Sequence, residues 1–528
     1  MTDPMKYPMA EAVLAAYARG EEDEAMLPIV RAEADGSPVG RVKPGDAMIF
    51  YNIRGERESE LSMALTDANF PHFDRHGGFG VEMSTMIQYS PDLPVKIGFP
   101  PPEELQDSLC EVASKAGKRI AKIVETEKAI HVNFFLNGKR GEVFPGEERV
   151  PVESARDVEQ FDAMPEMNVK DVADATIEKL QDPSYDLIIT NFANIDVVGH
   201  IENKDAVHKA ISAVDEQLGR VLAAAREAGV ITLVTADHGT TEKWYYPEGA
   251  VDTGHTDSPV PFAIVGAEGV TTREGGGLAD VAPTVLTAMG IAAPDAMTGT
   301  PLVDGLSGET NRVFLMIVDG WGVQPDSPQN LISQTDTPNM DALLAENPST
   351  TLMASGEAVG MPEGTVGNSE AGHLHIGAGR IVPSDRMRIQ RAIEDGSFYT
   401  NEAFVSAAEH AKQNGTALHL LGIISFYSSH GSVEYLVNLL EMCRRLDVPE
   451  VYVHGLLGRR GERPEAGARY IGDMETECEK QGVGTVVSVI GRHWALDREE
   501  HWDRVQKCYD MLLYGQGALV GGGPELAE

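Results

Sequence analysis

Residues 230–239 read VITLVTADHG: an apolar run, Val230 to Thr235, that ends at Ala236 and delivers Asp237 and His238 to a glycine. A run without polar alternation fits a strand buried on both faces, the habit of parallel sheets covered by helices. Ligands bind such sheets at their carboxyl edge, where this stretch sets an aspartate beside a histidine. Similar runs lie along the chain: AMIFYNI (47–53), DLIITNF (186–192), PFAIVG (261–266), VFLMIVDG (313–320), ALHLLGII (417–424), PEVYVHGL (449–456) and GTVVSVIG (484–491). Between them stand helical patterns such as KDAVHKAISAVDEQLGRVLAAARE (204–227) and VEYLVNLLEMCRRL (433–446). The alternation predicts an α/β fold built on parallel sheets.

At 528 residues the chain exceeds what one hydrophobic core serves, so two domains are expected. The joints are placed at the proline-rich PDLPVKIGFPPPEEL (91–105) and near 380–390, while GLSGETNR (305–312) reads as a polar surface connection inside one domain. Against 43 basic residues stand 82 acidic ones, a net charge of −39, which excludes the basic footprint that nucleic acid requires. An anionic substrate must then be captured by locally placed arginines. Cys110, Cys443, Cys478 and Cys508 are scattered and form no Cys-x-x-Cys unit, so they read as reduced thiols. The first residues carry an amphipathic helix pattern without the features of a signal peptide, and no apolar run reaches the ~20 residues of a membrane span. A soluble, cytoplasmic monomer without membrane or nucleic-acid partners is expected.

Near the opening stretch the chain concentrates metal-type ligands: Asp196 and His200 in NIDVVGH, Asp237 and His238, and His255 in DTGHTDSP. Singly, an Asp-His pair is more often a cap or surface feature, and an i, i+4 pair shares a helix face for purely structural reasons. Together the five exceed what one catalytic ion needs and point to two, the arrangement that activates an attacking oxygen and steadies a leaving one in phosphoryl transfer. Asp319 in VFLMIVDGWG and Ser369 in VGNSEAGH are the further candidates, the serine as an activated nucleophile.

ADHG, the Asp-x-x-x-His, the histidine before Pro-Val-Pro, DG-aromatic-G after a strand and GNSE-x-GH together resemble the cofactor-independent phosphoglycerate mutases of the alkaline phosphatase superfamily. VETEKAIHVNFFLNG, GHLHIGAGRIV, GRHWALDREEHWDR and FYNIRGERESEL extend the resemblance over nearly the whole chain. It implies an alkaline-phosphatase-like parallel-sheet metal domain and a smaller α/β transferase-like domain. It also implies one metal on Asp196, His200 and His255, and a second on Asp319, Asp237, His238 and Ser369, with Ser369 as nucleophile. Manganese is the expected metal, with magnesium and zinc as alternatives. Lys128 corresponds to a lysine near the phosphoryl group; without the resemblance it reads equally as a surface lysine. Arg54, Arg57, Arg492, Arg498, Arg460 and His430 match substrate-binding positions, where arginine forks would hold phosphate and carboxylate.

The motif order differs from the family's, in which the DG-aromatic-G strand opens the chain and ADHG closes it. The chain therefore resembles a circularly permuted member, with a transferase-like domain assembled from 1–99 and 386–528 around a metal domain at 100–385. A second departure lies at 458–464, GRRGERP, where the family's Asp-Gly-Arg-Asp-Thr-Pro-Pro loses its proton-shuttling aspartate to Gly461. Arg459 and Arg463 are gained, and Glu462 stays nearby as a carboxylate. The histidine loop, 425–432, reads SFYSSHGS in place of Ser-Asp-Gly-Gly-Val-His-Ser-His. These changes move the acceptor wall toward positive charge and favour a more anionic phosphorylated or phosphonylated acid. The expectation is a two-metal phosphotransferase of the mutase type, specialised for a substrate such as a phosphonoformyl glycerate of phosphonate biosynthesis. An ordinary 2-/3-phosphoglycerate mutase, a metal-dependent phosphomonoesterase and a metal-binding protein without turnover are the alternatives.

Overall fold

The computed structural model describes residues 6–155, 160–246, 249–306, 311–425, 428–458 and 466–521. The chain divides into two compact units, Met1–Pro101 with Arg388–Glu528, and Pro102–Met387. Each has its own eight-stranded sheet and its own buried core.

In the 102–387 unit the strand order is Gly276–Gly277, Ser349–Met353, Val260–Val265, Ile231–Thr235, Val313–Val318, Leu187–Phe192, Ile120–Glu125 and Glu147–Val152. Val313–Val318 sits at the centre and is fully buried, with parallel neighbours on both sides. Val318 pairs with Phe192, Ile317 with Thr235 and Asn191 with Val124, so four parallel strands end at about the same level. Whatever follows those ends is brought together. The helix Lys204–Glu227 covers the sheet with a stripe of Val207, Ala210, Ile211, Val214, Leu218, Val221 and Leu222, the spacing of one helix face. Its first turn is capped by the Asn203 side chain, which accepts from the Ala206 amide at 3.2 Å.

One expectation changes here. The PFAIVG run forms a strand, Val260–Val265, but it runs antiparallel to Ile231–Thr235 and to Ser349–Met353. A parallel neighbour needs a crossover, usually helical, and the connection from Ala236 to Pro259 has no helix among its described residues. The sheet is mixed, and that helix-free connection carries three of the five clustered ligands.

The other unit orders its strands as Ala518–Val520, Ile29–Arg31, Thr485–Gly491, Val451–Leu457, Leu418–Ile423, Ala47–Phe50, Glu82–Ile87 and Lys96–Phe99. All neighbours are parallel except Ile29–Arg31 against Thr485–Gly491. From Leu418–Ile423 the chain winds outward one way through the helices Val433–Arg445 and Gly467–Gln481. From Ala47–Phe50 it winds the other way through the helix Gly55–Thr66. The switch point therefore lies between those two central strands, and residues 51–54 and 424–425 leave from its carboxyl side. The strand Lys96–Phe99 forms inside the stretch expected to be a joint; at a sheet edge its flanking prolines remove no ladder bond. All four cysteines are unpaired and buried. Among the described residues no helix is long and apolar enough to cross a membrane.

Candidate metal centre

Lys128, Asp196, Asp237 with His238, and Asp319 each follow the carboxyl end of one of the four level strands. Asp319 stands directly after Val318 in a turn that requires Gly320, whose φ is +85°; a Cβ there would lie 2.8 Å from the Asp196 amide nitrogen. Ser369 opens the helix Ser369–Ala378, and Asn368 caps that helix by accepting from the Ala371 amide at 2.8 Å. A helix N-terminus of this kind favours negative charge on the group it presents.

Lys128 is buried, which settles its reading against a surface lysine. Its Nζ donates to Asp196 Oδ2 at 2.7 Å, to Asp319 Oδ1 at 3.0 Å and to Ser369 Oγ at 2.7 Å. Burial works against the ammonium, yet Asp319 and Asp196 hold its pKa above the ordinary lysine value. Burial also opposes the Asp196 and Asp237 carboxylates, but their neighbours win: Lys128 and His238 for the first, His238 and His373 for the second, holding both below the usual range. Asp319 goes the other way, raised by burial and then by the like charge of Asp237.

Three histidines share one orientation. His200 Nδ1 lies 2.7 Å from the Thr253 carbonyl, His238 Nδ1 3.1 Å from that of Gly239, and His255 Nδ1 3.0 Å from that of Gly367. A carbonyl only accepts, so in each ring Nδ1 carries the proton and Nε2 is left as the donor atom for a ligand bond. The Nε2 atoms turn inward: His255 to within 3.1 Å of Asp196 Oδ1, and His238 to 2.9 Å from Ser369 Oγ and 3.5 Å from Asp319 Oδ1. His200 Nε2 and His255 Nε2 are 3.1 Å apart, an arrangement that two facing lone pairs disfavour and a shared cation relieves. Asp237 Oδ2 is buried without a hydrogen bond, because His373 Nδ1, 3.2 Å away, lies 2.9 Å from the Ser369 carbonyl and gives its proton there. Three buried carboxylates faced by one lysine, with convergent imidazoles, fit divalent cations.

Ligand atoms of Asp196, His200 and His255 lie within 4.8 Å of one another, as do those of Asp196, His238 and Asp319, and those of Asp237, Asp319 and His373. The structure thus brings all seven expected ligand positions together, with Asp196 and Asp319 each shared between two groups. Sequence reasoning missed His373 and Asn191. The Asn191 amide donates to Asp319 Oδ2 at 2.8 Å and lies 3.1 Å from His373 Nε2. Only the position of His373, one turn after Ser369, could have marked it.

The other unit gathers the expected substrate residues at its own sheet edge. Arg54 and Arg498 both bind Glu56 Oε1, at 2.7 and 3.0 Å, and Arg57 donates to the Leu496 carbonyl at 3.3 Å. Arg492 pairs with Glu24 at 2.9 Å. His430 is buried, its Nδ1 2.9 Å from Glu58 Oε1. Arg459, Arg460 and Arg463, with Gly461 and Glu462, lie outside the described residues, as do Phe426 and Tyr427.

A model of the metalloenzyme superfamily matches residues 23–293, and a model of the BPG-independent PGAM N-terminus matches residues 389–522. The chain is 44% identical over 295 residues to the 2,3-bisphosphoglycerate-independent phosphoglycerate mutase of Listeria monocytogenes serotype 4b, covering 56% of this chain and 57% of that protein. It is 41% identical over 294 residues to the enzyme of the same name from Pseudomonas fluorescens, covering 56% of each. With 2,3-bisphosphoglycerate-independent phosphoglycerate mutase 2 of Methanosarcina acetivorans it shares 41% over 293 residues, 55% of this chain and 56% of that one. The chain spans little more than half the length of the curated relatives it matches.

Proposed function

The chain belongs to the metalloenzyme superfamily and, within it, to the cofactor-independent phosphoglycerate mutase family, and on that premise we propose that it moves a phosphoryl group between hydroxyls of a glycerate-like acid through a phosphoserine at Ser369. One observation carries this reading: Ser369 Oγ stands at a helix N-terminus, 2.7 Å from Lys128 Nζ and 2.9 Å from His238 Nε2. Asp196, His200 and His255 would hold one divalent cation and Asp319, Asp237, His238 and Ser369 a second, supplying charge neutralisation for the phosphoryl oxygens and a more nucleophilic serine. Manganese suits the mixed carboxylate and imidazole set. Ser369 Oγ forms the new bond to phosphorus as the bond to the substrate oxygen breaks, and Lys128 Nζ offsets the charge that develops. Within the other unit, the arginines around Glu56 are groups suited to bind a carboxylate or a phosphate.

Motif order supports reading the chain as a permuted member, with the metal domain at 100–385: the N-terminus model matches at 389–522, after the stretch matched by the superfamily model. The finer reading, a specialised relative acting on a more anionic acid such as a phosphonoformyl glycerate, is supported by Gly461, Arg459 and Arg463 in the sequence.

Phosphorus NMR of the manganese-loaded protein with 3-phosphoglycerate tests the proposal. Conversion to the 2-isomer is expected of a mutase, and release of inorganic phosphate would replace it with a phosphomonoesterase. Turnover of a phosphonoformyl acid with none of 3-phosphoglycerate would establish the specialised substrate.

A further inference from the structure

Asn191 is the fifth residue of the strand Leu187–Phe192 and is fully buried, a polar side chain at the carboxyl edge of its sheet that the cation assignment above does not use. It pairs with Ile317 of the neighbouring strand, and Asp319 stands two residues further along, where alternation turns a side chain to the same face. The two meet there: Asn191 Nδ2 donates to Asp319 Oδ2 at 2.8 Å and lies 3.1 Å from His373 Nε2.

The partners fix the orientation of that amide. Turned over, its oxygen would face a carboxylate oxygen at 2.8 Å, acceptor against acceptor. His373 Nδ1 gives its proton to the Ser369 carbonyl at 2.9 Å, so Nε2 is the acceptor that takes the second amide hydrogen. The other end of the amide goes without: Asn191 Oδ1 is buried with no hydrogen-bond partner among the described residues. A buried carbonyl left unpaired destabilises a fold, and a leucine of nearly the same shape would avoid that cost. What recommends asparagine at this position is its nitrogen.

The consequence falls on Asp319 and on the nucleophile. With Oδ2 bound to Asn191, Oδ1 is the oxygen that faces Lys128 Nζ at 3.0 Å, Ser369 Oγ at 3.4 Å and His238 Nε2 at 3.5 Å. His373 sits one turn after Ser369 in the helix Ser369–Ala378, and its bond to the Ser369 carbonyl stiffens the turn that presents Oγ. That helix is pressed against a strand end: a Cβ at Gly372 would stand 2.5 Å from the Asp237 carbonyl oxygen. One amide nitrogen therefore ties a strand-end carboxylate, through one imidazole, to the backbone of the serine. Among the described residues Asn191 bonds none of Asp196, His200 and His255.

We propose that Asn191 is a positioning residue of the cation centre, committing Oδ2 of Asp319 to the protein so that Oδ1 is left for the cation held with Asp237, His238 and Ser369. His373 extends the tie to the nucleophile. The inference rests on the two-cation reading above and lies wholly within the 102–387 unit. It makes the two ligand groups unequal in their dependence on one amide, which a general loss of packing would not do.

Calorimetry of manganese binding to the metal-free full chain tests it, with the melting temperature of the metal-free chain as the control for packing. Wild type should take up two ions. In Asn191→Leu the affinity for one ion should fall by about 10- to 100-fold, as when a ligand loses the group that orients it, while the other stays within about twofold. His200→Ala should weaken the event that Asn191→Leu spares, and in the double variant the two losses should multiply. The metal-free melting temperature of Asn191→Leu should match or exceed that of wild type, since the unpaired carbonyl is gone. His373→Leu leaves the bond to Asp319 in place; it should keep both affinities within about threefold and slow phosphoserine formation from para-nitrophenyl phosphate by about tenfold. Unchanged affinities in Asn191→Leu, an equal loss at both events, or a metal-free chain that no longer folds would make the amide structural and overturn the proposal. A loss of affinity in His373→Leu as severe as in Asn191→Leu would do the same, by assigning the hold on Asp319 to packing. A wild-type chain that takes up two ions and converts no phosphoglycerate would overturn the mutase reading alone, and the single weakened event in Asn191→Leu would still support the tie.

Discussion

The two sheet edges are built alike and charged oppositely. In the 102–387 unit, level strand ends deliver buried carboxylates and imidazoles around one lysine, and a helix N-terminus adds a serine. In the other unit, strand ends at a switch point deliver half-exposed arginines around a glutamate, with one buried imidazole behind them. The fold supplies an edge, and the residues placed there decide whether it attracts cations or anions. The difference also teaches about cost. Buried like charges are tolerable only with a bound countercharge, whereas exposed arginines screened by water and Glu56 need none.

The largest effects should come from the buried edge. Ser369→Ala should lower mutase turnover by about 10⁴-fold or more with the fold retained, read by coupled assay and circular dichroism. Residual turnover near wild type would remove the serine from the comparison altogether. Chelation should abolish turnover and lower the melting temperature of the metal-bearing unit, since ligand binding near a thousand-fold excess over Kd stabilises by about 4 kcal/mol. The metal dependence carries a sign: hydrogen bonding to Asp196 raises the pKa of His200, and Asp237 and Asp196 raise that of His238 against the opposing effect of burial. Protons therefore compete with cations, and affinity measured by calorimetry should weaken as pH falls. Affinity that is flat with pH would show that these imidazoles are not ligands.

The exposed edge should respond more mildly. Arg498→Ala should raise KM for phosphoglycerate by about tenfold with little change in kcat, as expected for loss of one charge-assisted contact to substrate. A loss confined to kcat would move Arg498 from substrate holding to the chemistry. Smallest is a stability effect away from both edges. Burial raises the Glu475 pKa to about 7, against the attraction of Arg31. Its protonated form is favoured in the fold, so stability is lost as pH rises from the ordinary glutamate range through about 7. Glu475→Gln should therefore raise the urea midpoint at pH ~8 and change it little at pH ~5.

Legibility differed between the edges for a physical reason. The buried edge was readable because several of its ligands follow an apolar strand within a few residues: Asp196 after DLIITNF, Asp237 and His238 after VITLVTA, Asp319 after VFLMIV. Lys128 was ambiguous, since only the packing of four strands shows it to be buried. His373 and Asn191 act by holding other ligands, and such contacts leave no local signature. Glu58 left no signal either: it stands among charged residues in GERESEL, yet it is buried in the helix Gly55–Thr66. The reversal at Val260–Val265 was equally out of reach, because strand direction depends on the path of a long connection.

Mass spectrometry of the Ser369 peptide tests the central claim most directly. Manganese-loaded protein would be mixed with 3-phosphoglycerate, quenched in acid during turnover and digested. Phosphorylation confined to Ser369, absent from Ser369→Ala and absent after chelation, is the predicted result. Turnover without phosphoserine, or phosphate carried on another residue, would contradict it.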